Sequence, residues 1–402
     1  MACMLLFSEI AFWFCWAALL HSYLLYPALL AWWTRNRADL PPPALPDEEL
    51  PFVSVLMSAY NEEKVLSEKV RSLTALQYPA GKLAFFFGSD ASRDATDHML
   101  REAAASDERI HFFPFPQRRG KPAVLNDLAE RALLARPAGP MHLFLLTDAN
   151  VILSPDVLLR LTRHFRDPQM ALVDAHMINT GMKKEGISRS EDRYISQEVW
   201  IKHREGQLWG AMIGPFGGCY ALRTDYFHPV PSHYLVDDFY IAMRALEQGG
   251  KAINDLDAHC FEAVSHRLRE EYRRKRRIAA GNFQNLLTFF HLWFPPVGRI
   301  RFAFFSHKVL RWLGPWWMLG GLLSSACLGW NGNLFYLALF FLQLTGFVGL
   351  PLVDRLLENW NLHWAPLRNI RYFVSMNLAL MEGLFKFLGG IKGGAWEPPQ
   401  RV

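Results

Sequence analysis

The hydrophobic positions of this chain fall into three blocks. The first, LLFSEIAFWFCWAALLHSYLLYPALLAWW, exceeds the roughly 20 apolar residues that cross a bilayer. No Lys or Arg precedes it, and Arg35 and Arg37 follow it at once. This polarity predicts an uncleaved membrane anchor over residues 1–38, with the N-terminus outside and the following residues in the cytoplasm. The proline-rich segment PPPALPDEELP then predicts a stiff linker over residues 39–51.

The second block, residues 52–264, alternates strand-like and helix-like segments. FVSVLMSAY, LAFFFGSD, IHFFPF and HLFLLTD are apolar runs, and NEEKVLSEKVRSLTAL and PAVLNDLAERALLAR have helical periodicity. This alternation predicts an α/β domain with a largely parallel sheet and helices on both faces. Ligands of such sheets bind at the carboxyl ends of the strands. In this sequence those ends carry Asn61, Asp90 and Asp148.

The third block indicates a membrane again. EEYRRKRRIAAGNFQNLLTFFHLWF has basic residues at one end and aromatic residues at the other, which predicts interfacial helices over residues 265–300. RWLGPWWMLGGLLSSACLGW and NLFYLALFFLQLTGFVGLPLV read as a hairpin of spans within a transmembrane region and tail over residues 301–402. For YFVSMNLALMEGLFKFLGG a full span is favoured, with a re-entrant or surface position as the alternative. The expected location is the inner or plasma membrane, which the chain crosses more than once, with the domain of residues 52–264 on the cytoplasmic side.

Composition and cysteine usage narrow the class of protein further. The chain has 402 residues, 51% of them hydrophobic, and a formal net charge of +5. Five cysteines are scattered without a CxxC pair, which fits a reducing compartment and argues against structural zinc or a disulfide scaffold.

Three groups of acidic or amide side chains are candidates for chemistry. The adjacent Asp237 and Asp238 begin a predicted helix, where helix capping is the simplest interpretation. Asp90 ends a strand in GSDASRDATD, where capping by Asp94 competes with a ligand contact for Asp90. In TDAN, Asp148 and Asn150 at i and i+2 can grip a hard cation, or form an Asx turn.

Basic and glycine-rich stretches add further candidates. QRRGKPAVLNDL places Lys121 at a helix start suited to an anion, although a solvated basic turn is commoner. GPFGGCYALR brings Gly217 and Gly218 before a strand, for a close backbone approach or a tight turn. EEYRRKRRIAAGNFQ fits lipid headgroups or a leaving diphosphate, and it lacks the interleaved aromatic residues of a nucleic-acid site.

Together these stretches resemble the membrane-integral family-2 glycosyltransferases, the group that includes hyaluronan, chitin, cellulose and poly-N-acetylglucosamine synthases. VSVLMSAYNEE, SDASRDAT, RRGKPAVLN, TDAN and VDDFYIAMR stand in the order of that family's motifs over about residues 52–284. The resemblance implies a GT-A-type fold and an inverting transfer of a sugar from a UDP-sugar to a saccharide or lipid-linked acceptor, in cell-surface polysaccharide or glycolipid synthesis. UDP-sugar, acceptor and membrane lipids are the expected partners, and nucleic acid is not.

The resemblance also implies roles for individual residues. Asp238 is the expected general base, Asp237 its acidic neighbour, and Arg277 a cation facing the phosphates. Asp237 can cap the helix while Asp238 faces the cleft. Gly217 and Gly218 are expected at the acceptor, and Asp148 with Asn150 at Mg²⁺ or Mn²⁺. Binding of the nucleotide sugar is expected from Tyr60, Glu62, Asp90, Lys121, Asp148 and Arg274.

Two departures from the family pattern bear on this interpretation. Asn150 replaces the second acid of the DxD motif, which lowers the charge offered to a metal. RKRRI stands where processive synthases carry QxxRW, so repeated addition is in question. A polyprenyl-phosphate sugar transferase and a non-catalytic, nucleotide-sensing membrane transporter or scaffold are the alternatives. The sequence leaves the sugar, the linkage and the oligomeric state open.

Overall fold

The computed structural model describes residues 1–37, 41–136, 141–180, 187–263, 268–391 without 361 and 363, and 393. The predicted boundaries at 38–39 and 264–265 and most of the C-terminal tail lie outside these residues, so the exact domain limits stay predictions. The chain divides into two compact units. One contains Met1–Arg35, Lys183–Ile201 and Glu271–Gly389, and the other contains Asn36–Met182 and Lys202–Glu270.

The second unit is built on an eight-stranded sheet in the order β3-β2-β1-β4-β7-β6-β8-β5. Pairs among β1 to β4 and the pair β6–β8 are parallel, whereas β7 is antiparallel to both neighbours and β5 is antiparallel to β8. The expected parallel arrangement therefore holds for the first half of a mixed sheet. The strands are β1 Phe52–Ala59, β2 Leu83–Asp90, β3 Ile110–Phe115, β4 His142–Thr147, β5 Val151–Leu153, β6 Met170–Thr180, β7 Cys219–Arg223 and β8 Lys251–Ala263.

The helices in and around this sheet confirm the predicted segments. The α-helices of the described residues are α1 Ala2–Leu20, α2 Tyr26–Thr34, α3 Glu63–Thr74, α4 Thr96–Ser106, α5 Lys121–Leu134, α6 Val157–Thr162, α7 Ile187–Trp209, α8 Asp237–Glu247, α9 Leu268–Thr288, α10 Arg299–Phe304, α11 Leu310–Trp312, α12 Gly314–Trp330, α13 Leu334–Leu344, α14 Leu350–Asn359 and α15 Ala365–Leu388. The segments predicted as helical around residues 61–76 and 122–136 correspond to α3 and α5.

Side chains along each strand alternate between the two faces of the sheet. Because the strands are apolar on both faces, helices cover both. Alternate residues of β1, Val53, Val55 and Met57, are fully buried in a core with apolar residues of α3, α4 and α6. On the opposite face, α5 packs directly against Gly88 of β2. The sheet is therefore buried on both sides, as its nearly continuous apolar strands predict.

Register places the strand ends that carry the candidate residues along one edge. Ala59 of β1 pairs with Ser89 of β2, and Leu56 of β1 pairs with Leu146 of β4. Parallel strands end at the same edge, so the loops after β1, β2 and β4 leave the sheet side by side.

The first unit is helical and contains apolar segments that suit a bilayer. Two described helical stretches are long and apolar enough to cross one by length and composition, Ala2–Thr34 and Leu334–Asn359. α12 has 17 residues and falls short of that length, and α15 is amphipathic with 24 residues. The predicted span of the last segment therefore stays a prediction. The predicted interfacial segment contains the helix α9, and its position at a membrane interface stays a prediction.

The packing of α5 on β2 predicts that Gly88 tolerates no side chain. A Cβ at Gly88 would lie 2.5 Å from Val124 Cγ1 and 3.1 Å from the Phe115 ring. Gly88→Ala should therefore lower the free energy of unfolding by about 1–3 kcal/mol through overpacking, measured by denaturant titration in detergent. Gly81→Ala is the matched control, since no atom lies within 4 Å of its added Cβ. Equal stability of the two variants would contradict this packing.

Candidate active site

The loops after β1 and β2 are braced against each other by side-chain bonds. Asn61 and Ala91 have positive φ angles of 53° and 58°, a strained backbone that tends to occur at functional sites. The Asn61 side-chain oxygen accepts the Arg93 N–H at 2.8 Å. Asp94 Oδ1 accepts the N–H of Thr96, the first residue of α4, at 3.0 Å, although the N-cap position itself is Ala95.

Asp90 organises the start of α5. Its buried carboxylate accepts the backbone N–H groups of Arg119 at 2.7 Å and Gly120 at 2.8 Å. Gly120 has a φ of 88°, a conformation that favours glycine. The sequence predicted a nucleotide contact for Asp90. The structure shows that both carboxylate oxygens already hold the loop that presents Lys121, so this contact stays a prediction.

A cleft opens where these loops meet. It is lined by Ser58, Tyr60, Glu62, Asp90, Arg118, Gly120, Lys121, Asp148, Ala149 and Asn150. Most of the residues predicted to bind the nucleotide sugar are therefore gathered at one place. The Arg118 guanidinium lies 3.2 Å from the centre of the Tyr60 ring, and both side chains line the cleft.

Lys121 connects this cleft to the acidic pair at the start of α8. Its ammonium lies 2.7 Å from Asp148 Oδ1 and 3.4 Å from Asp237 Oδ2. The Asp148 and Asp237 carboxylates, with Asp238, hold the pKa of Lys121 well above its usual range in spite of burial. A positive charge is thus fixed between two negative ones.

Asp238 differs from its neighbour in its contacts. Its Oδ1 accepts the Phe239 N–H at 2.8 Å. The expected capping by Asp237 is not observed. The N-cap position of α8 is Val236, and Asp237 is the first residue of the helix, with its carboxylate beside Lys121. Burial, and then the charge of Asp237, raise the pKa of Asp238 to about 6, although Lys121, the Phe239 N–H and Lys202 lower it. A carboxyl with this pKa can both take and release a proton near neutral pH.

The glycine segment before β7 packs against this carboxylate. Gly217 has a φ of 86°, and a Cβ added there would overlap the Asp238 carboxylate. Gly218 accepts two hydrogen bonds at its carbonyl oxygen, from Thr147 Oγ1 at 3.0 Å and from the Asp148 N–H at 3.1 Å. Close approach therefore explains both glycines, at Gly217 to the Asp238 carboxylate and at Gly218 to the Met177 and Val151 side chains. Their predicted role in acceptor binding stays a prediction.

Asp148 and Asn150 are the candidate metal ligands. Asn150 Nδ2 donates to Glu262 Oε1 at 2.7 Å, which leaves the amide oxygen as the ligand atom. The Asp148 side chain is 38% exposed. No cluster of three His, Cys, Asp or Glu ligands exists in the described part of the chain. One carboxylate and one amide oxygen suit Mg²⁺ or Mn²⁺ only where substrate phosphates complete the shell.

Three buried groups near this site were missed by the sequence reasoning. Burial raises the pKa of Asp174 to about 7, and its Oδ2 accepts the Phe216 N–H at 2.8 Å. Burial and the carboxylates around Tyr220 raise the pKa of its phenol. Lys69 is fully buried under the Asp148 turn. Asp174 inside MALVDAHM and Lys69 between Leu66 and Leu73 are charges at apolar positions, a signal that could have identified them.

Arg274 and Arg277 lie on α9, in the helical unit. Their predicted roles at the donor phosphates stay predictions.

The comparisons with known proteins match this geometry. The model of glycosyl transferase family 2 matches residues 54–229. The model of glycosyl transferase family group 2 matches residues 143–352, which is more than half of the chain. The chain belongs to glycosyl transferase family group 2. The two matches together cover β1 to β8 and extend into the helical unit.

Curated relatives carry two kinds of names. A beta-monoglucosyldiacylglycerol synthase from Trichormus variabilis is 26% identical over 171 residues, which cover 42% of this chain and 35% of that protein. An N-acetylglucosaminyltransferase from Mesorhizobium japonicum is 26% identical over 264 residues, which cover 61% of this chain and 59% of that protein. The chain thus spans about a third to three fifths of the length of these relatives.

A solved structure shares the fold over nearly the whole length of both chains. It is a mannosyltransferase from Pyrobaculum calidifontis in complex with GDP-Man and Mn²⁺, with a TM-score of 0.68 and 22% identity. The match covers 93% of this chain and 97% of that chain. The expected GT-A-type α/β fold is confirmed.

The contact between the glycine segment and Asp238 gives a sharp prediction. Gly217→Ala should lower kcat for glycosyl transfer about 100-fold, because the added methyl group displaces the carboxylate by the order of an ångström. Gly249→Ala is the matched control, since Gly249 has a φ of 83° with no atom within 4 Å of an added Cβ. Both variants carry the same backbone strain, so an equal loss of kcat in the two would contradict the prediction.

Proposed function

We propose that this protein is an inverting glycosyltransferase that moves a sugar from a nucleotide sugar to a saccharide or lipid-linked acceptor. The observation that carries the proposal is the position of the Lys121 ammonium. It lies 2.7 Å from Oδ1 of Asp148, in the cleft, and 3.4 Å from Oδ2 of Asp237, in the acidic pair. One cation thus connects the place for a diphosphate with the place for a base. The membership in a glycosyltransferase family supports the same reaction.

Asp238 is the proposed general base. An acceptor hydroxyl attacks C1 of the donor sugar, and the bond from C1 to the diphosphate oxygen breaks with its electron pair leaving on the nucleoside diphosphate. Asp238 takes the hydroxyl proton, which a carboxylate near its own pKa does efficiently. A single displacement inverts the anomeric centre. The Gly217 backbone keeps this carboxylate in one position.

The leaving diphosphate needs positive charge near it. Lys121, at the start of α5, supplies that charge from this chain. We propose the same task for Arg274 and Arg277. Asp148 and Asn150 would hold Mg²⁺ or Mn²⁺, which supplies Lewis-acid stabilisation of the diphosphate when bound.

The donor base and the acceptor are proposed at the level of chemical class. UDP is the first candidate for the donor nucleotide, because the sequence motifs resemble those of the membrane-integral family-2 glycosyltransferases. GDP is the second candidate, because the solved mannosyltransferase with the same fold binds GDP-Man. The apolar stretches Ala2–Thr34 and Leu334–Asn359 favour an acceptor at a membrane surface, with the sheet unit on the cytoplasmic side.

Incubation with a panel of radiolabelled UDP- and GDP-sugars tests the proposed function. The protein in membranes should release UDP or GDP and label a lipid-linked or polymeric product, with Mn²⁺ or Mg²⁺ present. Asp148→Ala should abolish the release, because it removes both the Lys121 partner and a candidate metal ligand. Absence of release with every donor in the wild-type protein would refute the proposal.

The pH dependence of turnover tests the role of Asp238 separately. Its pKa is raised to about 6, so the base is protonated below that pH. The turnover should fall about tenfold per pH unit below pH 6 and approach a plateau above it. Asp238→Asn should remove this acid limb and leave a small residual rate. It should also raise the melting temperature by a few degrees, because a buried carboxylate with a raised pKa is destabilising at neutral pH.

An acid limb near pH 4, where an ordinary aspartate titrates, would contradict this assignment. An Asp238→Asn variant with nearly normal turnover would instead favour a polyprenyl-phosphate acceptor, whose phosphate oxygen needs little help from a base.

A further inference from the structure

Lys69 is a charged residue in the core of the sheet unit. It lies on α3 and is fully buried together with Leu66 and Leu73 of the same helix face. Burying an ammonium is costly unless strong polar contacts offset the loss of water. Lys69 must therefore make contacts that an apolar residue at this position could not make.

Its contacts converge on the turn that carries the candidate metal ligands. Lys69 Nζ donates to Thr147 Oγ1 at 2.7 Å and to the Val151 carbonyl oxygen at 2.5 Å. Thr147 ends β4 and Val151 begins β5, so the two bonds hold both ends of the turn around Asp148 and Asn150. Burial lowers the pKa of Lys69 to about 8, so the ammonium remains mostly charged at neutral pH.

A second step connects this turn to the base. Thr147 Oγ1 accepts from Lys69 and donates its own proton to the Gly218 carbonyl oxygen at 3.0 Å. The Asp148 N–H donates to the same oxygen at 3.1 Å. Gly217, the preceding residue, packs against the Asp238 carboxylate. A continuous chain of contacts thus leads from Lys69 through Thr147 and Gly218 to the proposed base.

We propose that Lys69 is a positioning residue for sugar transfer. Its ammonium fixes the turn from Thr147 to Val151 and, through Thr147, the glycine segment, so that the diphosphate side and the base side of the site keep their spacing. This inference rests on the proposed function. The ammonium also interacts with the charge of Asp148 in the same turn.

Lys69→Met tests this role, because methionine has a similar length and no charge. The matched control is Lys64→Met, which removes an exposed lysine from the same helix. The proposal predicts about a 100-fold lower kcat for Lys69→Met and about tenfold weaker binding of UDP and GDP in the presence of Mn²⁺, measured by calorimetry. The melting temperature should stay within a few degrees of that of the wild type, because relief of the buried charge offsets the two lost hydrogen bonds.

Hydrogen exchange supplies a readout that needs neither substrate nor turnover. Peptides that cover residues 147–151 and 216–219 should exchange faster in Lys69→Met than in Lys64→Met, and peptides from β1 and β2 should not change. If the wild-type protein transferred no sugar, the proposed function would fail, while this comparison would still show whether Lys69 orders the two segments.

Thr147→Val breaks the same chain of contacts at its second member, because valine has no hydroxyl group to bond Lys69 and Gly218. It should reproduce the loss of kcat, and the double variant should lose little more than either single variant. This variant decides the matter if Lys69→Met fails to fold. Normal kcat and normal hydrogen exchange in Lys69→Met or in Thr147→Val would overturn the proposal. A loss of kcat that is fully explained by a lowered melting temperature would overturn it as well.

Discussion

Mutual repulsion among carboxylates is the constraint on which this site depends. Asp148, Asp237 and Asp238 come from two distant parts of the chain, and the fold brings them together around one ammonium, that of Lys121. Without a cation between them these side chains would separate or take up protons. The arrangement is stable because α5 begins at Lys121 and is held there by Asp90, which binds the two preceding backbone N–H groups.

The same constraint gives the acidic pair its two roles. Adjacent residues at a helix start point in different directions, so Asp237 turns to Lys121 and Asp238 turns to the glycine segment. Asp237 then acts on its neighbour through charge and raises its pKa, as burial also does. One acid is paired with a cation, and the other has a raised pKa.

The sequence predicted much of the fold because its strongest signals are local. Apolar runs that end in polar residues located β1, β2 and β4, and helical periodicity located α3 and α5. The antiparallel position of β7 was not predicted, because strand order depends on long-range pairing that no local pattern contains. Candidate residues at strand ends were predicted for the same local reason, and most of them line one cleft. Lys69 and Asp174 left a local signal that was missed, a charge at an apolar position, whereas only tertiary packing shows that Tyr220 is buried beside the carboxylates.

The central claim is that Asp238 assists one direct displacement at the anomeric carbon. The anomeric configuration of the product, measured by proton NMR after transfer from an α-linked nucleotide sugar, tests this claim most directly. The account predicts a β-linked product, because a single displacement inverts the centre. An α-linked product would require a second displacement or a different mechanism and would contradict the account.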